Sequence, residues 1–340
     1  MRGDILGIKS YIKAVAGYLP GKIEKNDLTK RLTKKTGIYE RHLADENECA
    51  SDLAVQVAER MFAQYAIERE QIDFIILCTQ SPDYFLPTTA CLLQEKLHLS
   101  KHCGAFDFNL GCSGYIYGLS IAKGLVETGQ AKQVLLLTAE TYSKYIHPGD
   151  ETVKPLFGDG ATATLIAAVQ SDVEGIHSFE FGTDGSGADS LIVPAGALRN
   201  PYGKTSIIEQ VDDYGNRRTN YHINMNGSEI TNFALNVVPE TVQNILGKAG
   251  LEKRDIDYYV FHQANKFMLD FLQQKCELQG LPFWNDPSNC GNTVSNSVPL
   301  AITQLLEAEK ALALGKVMLI GFGVGLSWAG CIVDLSHVPR

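Results

Sequence analysis

Residues 67–86, IEREQIDFIILCTQSPDYFL, return in altered form at residues 251–269, LEKRDIDYYVFHQANKFML. Both stretches read as a helix end, a charged turn, an Ile-Asp pair, a buried strand and a polar loop. Ile72 matches Ile256 at an offset of 184 (256 − 72), which sets Cys78 opposite His262. A second match follows at an offset of 180 (291 − 111): Gly111-Cys112-Ser113 against Gly291-Asn292-Thr293. Each of these turns precedes an apolar helix, predicted over Gly114 to Thr128 and over Val298 to Ala311. Each helix leads to a continuous apolar strand, Val134 to Thr138 and Val317 to Ile320. Strands without polar alternation are those covered by helices on both faces. The chain is therefore predicted to be an α/β protein of two pseudo-symmetric halves, residues 1–170 and 171–340. Each half is a mixed sheet, with helices between and outside the sheets. Gly182 to Gly227, rich in Gly, Asn, Asp and Tyr, reads as loops and hairpins laid over one face. No low-complexity linker separates the halves, so they are expected to pack tightly.

Composition narrows the function classes. With 45 % hydrophobic and 20 % charged residues over 340 positions, the chain has the profile of a soluble globular protein with a large core. No apolar run reaches membrane-span length. The first residues, MRGDILGIKSYIKAVAGYLPGK, lack a basic-then-apolar signal pattern, so the expected compartment is the cytoplasm. A net charge of −9 disfavours nucleic acid as a partner. Eight scattered cysteines, with no CxxC pair and no HExxH, point to reduced thiols and no metal. Lys22, Lys25, Lys30, Arg31, Lys34 and Lys35 form a local basic segment, either a solvated helix face or a docking patch for phosphate.

Four segments carry candidate chemistry. In FDFNLGCSGYIYGLSIAKGLV (106–126) a strand over Ala105 to Asn109 meets a tight turn and then a buried helix. Cys112 stands at the helix start, where free N–H groups and the helix dipole favour an anion and should acidify a thiol. Read alone, the turn is equally compatible with a nucleophile and with a small packing residue. In FHQAN (261–265), His262 lies at the C-terminal end of a buried strand, where α/β proteins place their chemistry. A lone His so placed is more often structural, and Gln263 and Asn265 beside it raise the functional reading. In NCGNTVSNSVPLAI (289–302), Asn292 begins a helix and could be a routine cap. The repeat argues for more, because it sets Asn292 in the place of Cys112 and His262 on the matching strand. Gly321, Gly323 and Gly325 of GFGVGLSW form a turn whose N–H groups could hold an oxyanion. LFGDGAT (156–162) reads as a structural turn into a strand.

TGIYERHLADENE (36–48), the Cys112 turn, LFGDGAT, FHQAN, CGNTVSNSVPLA (290–301) and GFGVGLSW (321–328) together resemble the thiolase-fold condensing enzymes, and most closely the 3-oxoacyl-acyl-carrier-protein synthase III family. The resemblance covers nearly the whole chain. It implies a thiolase-like fold in αβαβα layers and a Cys-His-Asn triad at Cys112, His262 and Asn292. It further implies substrate contacts at Leu86, Asn265, Gly323 and Val324, with an oxyanion held by the Cys112 and Val324 amides and Leu86 walling the acyl pocket. Cys112 would carry an acyl thioester that condenses with a malonyl thioester, with loss of carbon dioxide, to a 3-oxoacyl product. No cofactor is implied beyond the phosphopantetheine of acyl-carrier protein or coenzyme A, and a homodimer is expected.

Departures mark this chain. Relatives primed by acyl-CoA carry a Trp before the TGI motif and a partner Arg upstream of FGDGA. Here those places hold Arg31 and Glu151, and Lys266-Phe267 follows HQAN where an Arg is usual. The acyl donor is thus either carrier-bound or a coenzyme A ester held differently. Docking of an acidic carrier protein is expected at Lys30, Arg31, Lys34, Lys35, Lys266 and Lys275. Two other functions stay open: transfer of the acyl group to a hydroxyl or amine without decarboxylation, and a non-catalytic partner subunit of a heterodimeric synthase.

Overall fold

The computed structural model describes residues 7–204, 206–212, 215–309 and 314–339. Ten strands build two five-stranded sheets. The first sheet holds β1 (Gly7–Tyr18), β2 (Phe74–Cys78), β3 (Gly104–Phe108), β4 (Gln133–Glu140) and β5 (Gly160–Ser171) in the order β1-β5-β4-β2-β3. The second holds β6 (Ile176–Thr183), β7 (Tyr258–Phe261), β8 (Phe283–Trp284), β9 (Lys316–Gly323) and β10 (Ser327–Asp334) in the order β6-β10-β9-β7-β8. The two orders correspond strand for strand. So do the directions: the first two neighbours in each order pair antiparallel and the last two pair parallel.

Six helices complete the layers: α1 (Ala50–Tyr65), α2 (Thr89–Lys96), α3 (Gly114–Glu127), α4 (Gly227–Ala249), α5 (Lys266–Lys275) and α6 (Ser297–Ala308). Side chains on successive strand residues point to opposite faces. Val134 and Leu136 of β4 face a central core, while Leu135 and Leu137 face an outer one. Likewise Val317 and Leu319 of β9 face the centre, and Met318 and Ile320 the other outer core. The central core is filled by Tyr115, Ile116, Leu119, Ala122 and Val126 of α3 and by Val298, Ala301, Ile302 and Leu305 of α6. Helices α1 and α2 cover the first sheet outside, and α4 and α5 the second. The result is five layers, α-β-α-β-α, with the continuous apolar strands buried on both faces. Each fully buried Leu or Ile in this stack stabilises the fold by about 1.5–3 kcal/mol.

The predicted elements fall within a few residues of the observed ones. The strand predicted over Ala105 to Asn109 is β3, one residue earlier. Helix α3 stops at Glu127. The end of the second predicted helix, Ala311, lies outside the described residues, as do Thr205, Asp213 and Tyr214 of the Gly182 to Gly227 segment. In that segment Leu191–Ile192 pairs with Asn224–Met225, and Glu209–Val211 with Arg217–Thr219. One expectation is corrected. Asn292 does not begin a helix: it forms an isolated bridge with Phe157, a 3-10 turn follows at Val294–Asn296, and α6 starts only at Ser297. The cause is Gly291 in the left-handed region (φ 69°), where an added Cβ would stand 2.7 Å from the Leu156 carbonyl oxygen. Its backbone turns Asn292 onto residues 156–158 before a helix can form.

Candidate active site

Cys112 sits on the turn between β3 and α3, and the regular helix begins at Gly114. The chain can press here because both neighbours are bare. A Cβ on Gly321 would meet the Cys112 carbonyl oxygen at 2.4 Å, and one on Gly323 would meet Cys112 Sγ at 2.9 Å. The thiol is 5 % exposed and lines a cleft of about 680 Å³, together with His262, Asn292, Gly323 and Asn265. Residues some 150 and 180 positions from Cys112 are thereby brought to one cavity (262 − 112 = 150; 292 − 112 = 180).

The electrostatics of Cys112 correct the expectation of an acidified thiol. Burial pushes the thiol well above its ordinary value, the Glu140 carboxylate adds to the rise, and the Cys112 backbone N–H opposes it. The helix start offers less than the sequence promised, because the Gly114 N–H already donates to the Gly111 carbonyl at 2.8 Å. In the free protein Cys112 is a protonated thiol, and charge arises on sulfur only as it reacts.

His262 follows β7, with 2 % of its surface exposed. Its Nδ1 lies 2.5 Å from Ser297 Oγ, at the first residue of α6, and its ring meets Phe322 edge-on at 5.3 Å. Burial lowers its pKa to about 3, so the imidazole is neutral at physiological pH. A neutral ring has one donor nitrogen. If the Ser297 hydroxyl donates to Nδ1, the proton stands on Nε2. Asn292 is oriented by its oxygen: Oδ1 accepts from the Val294 N–H at 2.9 Å, which leaves the Nδ2 amide as the donor end. Its backbone is held by Leu156 and Gly158. LFGDGAT, read as purely structural, thus also supports the site through Leu156, Phe157 and Gly158. Its Asp159 does carry structure, accepting from Ala44 N–H and the Ser143 side chain.

The remaining expected site residues divide. Asn265 lines the cleft and also caps α5, accepting from the Met268 N–H at 2.9 Å. Val324 follows Gly323 and packs with Cys112, but its side chain lines a separate cavity. Leu86 lines neither the cleft nor the neighbouring cavity that Val324 lines. It is 87 % exposed, on a loop that projects outward with Tyr84 and Phe85. In the basic segment, Arg31–Thr36 forms a short helix, and Lys35 lines the cleft with Nζ 3.9 Å from the Phe267 ring centre. Lys30 pairs with Glu151 at 2.5 Å, and Lys266 with Asp270 at 3.5 Å. Arg31 and Lys34 are exposed, and Lys275 lies at the far end of α5.

Two residues escaped the sequence reading. Ser297 is the partner of His262, hidden in a run of small polar residues. Glu140 ends the apolar run VLLLTAE, fully buried, and accepts from Ser295 Oγ at 2.7 Å and Ser81 Oγ at 3.0 Å. Burial raises its pKa to about 8, against those hydrogen bonds. A charged residue closing an apolar strand was the signal. Among the described residues no group of three or more His, Cys, Asp or Glu is placed to hold a metal, and no helix is long and apolar enough to cross a membrane.

Comparison with known proteins fits this arrangement. The family model for 3-oxoacyl-[acyl-carrier-protein] synthase III matches residues 106–185, and the model for its C-terminal part matches residues 246–335. A beta-ketoacyl-[acyl-carrier-protein] synthase III of Clostridioides difficile is 36 % identical, covering 96 % of this chain and 99 % of its own. Another from Clostridium perfringens is also 36 % identical, with 88 % and 89 % covered. Among solved structures, a 3-oxoacyl-(acyl-carrier-protein) synthase III superposes with a TM-score of 0.93 at 50 % identity, covering 96 % of this chain and 99 % of that one. A 3-oxoacyl-(acyl-carrier protein) synthase of Burkholderia xenovorans gives 0.87 at 36 % identity, with 97 % and 95 % covered. The chain is a member of the 3-oxoacyl-acyl-carrier-protein synthase III family of thiolase-fold condensing enzymes.

Proposed function

We propose that this protein joins an acyl thioester, held on Cys112, to a malonyl thioester with loss of carbon dioxide. The observation that carries the reading is the meeting of Cys112, His262 and Asn292 at one cleft, with the imidazole neutral and the amide's donor end free. Cys112 Sγ attacks the carbonyl of the acyl donor, and the displaced carrier thiolate takes the thiol proton. The backbone N–H groups of Cys112 and Val324 hold the oxyanion. A malonyl thioester then occupies the cleft. His262 Nε2–H and Asn292 Nδ2–H donate to its thioester oxygen. Negative charge builds there as the carboxylate leaves as carbon dioxide. A cationic His262 would bind the malonyl carboxylate as readily as the developing enolate; a neutral one favours the enolate oxygen. The carbanion attacks the acyl carbonyl on Cys112, the Cys112 thiolate departs, and solvent returns its proton. The product is a 3-oxoacyl thioester.

The partners belong to the same reading: malonyl-acyl-carrier protein as extender, phosphopantetheine as the carrier of both substrates, no resident cofactor, a cytoplasmic site and a homodimer. Lys35 at the cleft, with Arg31, Lys34 and Lys266 nearby, offers positive charge to an acidic carrier protein. Lys30 is paired with Glu151 at this rim, so Arg31, Lys34 and Lys35 are left to offer that charge. The test is condensation itself. With acyl thioester and malonyl-carrier protein, the protein should release carbon dioxide in step with 3-oxoacyl product, and Cys112→Ala should abolish product. Product formation that survives in Cys112→Ala would refute the reading.

A further inference from the structure

Val294 stands at φ 57°, in the left-handed region that a β-branched side chain avoids. Its N–H is the group that fixes Asn292 Oδ1, so the donor end of Asn292 is aimed by a strained residue. Such a conformation is costly and persists only where its surroundings over-determine it. The two residues that follow Val294 are tied to the first half of the chain. The Ser295 hydroxyl donates to Glu140 Oε1 at 2.7 Å. Asn296 Nδ2 donates to the Gly160 carbonyl at 2.9 Å and to the Thr293 carbonyl at 3.0 Å, and its Oδ1 accepts from Thr138 Oγ1 at 2.6 Å. Glu140, the last residue of β4, is itself fixed. Ser81 Oγ donates to its Oε2 at 3.0 Å, and the Gln80 N–H reaches Oε2 at 3.1 Å and Oε1 at 3.2 Å. Glu140, Ser81, Ser295 and Asn296 are all buried, so a partner removed here leaves its mate unsatisfied. The carboxyl thus joins the end of β4 to the turn that supports both donors, with Val294 beneath Asn292 and Ser297 beside His262.

We propose that Glu140 is a positioning residue for decarboxylation: through Ser295 it holds the Val294 turn in its strained conformation and so aims the Asn292 amide at the malonyl thioester oxygen. The inference rests on the proposed condensation and deepens it. Glu140 lines neither the cleft nor the cavity beside it, so it reaches the donors only through the turn. The bridge does not require a charge. A serine hydroxyl both donates and accepts, so it serves a carboxylate, a carboxylic acid or a carboxamide of the same shape. Without the bridge the turn relaxes toward an ordinary φ, the Val294 N–H leaves Asn292 Oδ1, and the amide loses its orientation. Acylation of Cys112 uses neither donor and is spared.

The experiment measures two rates for each variant: acylation of Cys112, by intact mass, and release of carbon dioxide from malonyl-carrier protein by the acylated protein. Glu140→Ala and Ser295→Ala should each slow release about ten- to a hundred-fold with acylation unchanged. Ser295→Ala removes one hydroxyl and covers the case in which Glu140→Ala does not fold. Glu140→Gln should keep release within about three-fold of the parent, because the carboxamide still offers Ser295 an acceptor. Ser81→Ala cuts the first-half side of the bridge but leaves Ser295 its partner, so the ratio of the two rates should stay at the parent value. Equal loss of both steps in Ser295→Ala, or no loss in either, overturns the inference and leaves the proposed chemistry standing. Glu140→Gln as slow as Ser295→Ala overturns it as well, and so does a Ser81→Ala ratio shifted as far as that of Ser295→Ala. A parent protein that releases no carbon dioxide overturns the proposed condensation and this inference together.

Discussion

Cys78 and His262 occupy equivalent ends of equivalent strands, yet they do opposite things. Cys78 is fully buried, its thiol donates to the Leu110 carbonyl at 3.1 Å, and a Cβ on Gly114 would stand 2.3 Å from its sulfur. It is packing beneath the start of α3. His262 faces the cleft and is fixed by Ser297 of the helix that follows its own half's turn. The turns diverge in the complementary sense. In the first half the turn enters α3 almost directly, which sets Cys112 close under the β9–β10 turn. In the second, Gly291 and the Phe157 bridge delay α6 until Ser297, and Asn292 presents an amide. On the proposed function, one half supplies the electrophile's anchor and the other supplies both donors. The same scaffold was made asymmetric by one residue at each strand end and by a few residues of helix delay.

That comparison breaks if the two strand-end residues prove interchangeable. His262→Ala should lose carbon dioxide release by on the order of 10²–10³, the cost of one oxyanion donor, while Cys112 still acylates. The same variant should be less sensitive to acid. Folded His262 has a pKa near 3, so below the ordinary value near 6.5 the unfolded chain takes up a proton that the folded one refuses. Stability is therefore lost as pH falls from about 6.5 to about 3, by up to roughly 1.4 kcal/mol per pH unit. Urea melts at stepped pH should show that slope in the parent and less of it in the variant.

Ser297→Ala sharpens the account at smaller scale. The imidazole stays but loses its Nδ1 partner and its fixed tautomer, so decarboxylation should fall about ten-fold with acylation unchanged. An equal loss in both steps would assign Ser297 to packing. The smallest effect belongs to Cys78→Ala, the mirror of the His262 change. It should cost about 1–2 kcal/mol of stability, read from denaturant midpoints, and alter turnover by no more than a few-fold.

The fold was legible because both sheets are buried on two faces, which writes uninterrupted apolar runs such as VLLLT and VMLI into the chain. The repeat doubled that signal by pairing Ile72 with Ile256. The site was legible where a motif marks a strand end or a turn. It was not legible where burial decides. Cys112 reads as an acidified thiol from its neighbours in sequence, but burial by residues of both halves, and then Glu140, push it the other way. Ser297 was hidden because a serine at a helix start has many ordinary uses. Leu86 lies on an outward-facing loop, which no local pattern near Pro87 encodes. Asn292 was read as a helix start because Gly291 acts through Leu156, far away in the sequence, whereas the helix predicted from Val298 begins one residue earlier, at Ser297.

The division of labour between the two turns is the central claim, and Asn292→Ala tests it most directly. Load the variant with acyl thioester, weigh the intact protein, then add malonyl-carrier protein and follow carbon dioxide. The account predicts a full acyl adduct on Cys112 and release slowed by on the order of 10²–10³. Loss of the adduct, or carbon dioxide released at the parent rate, would contradict it.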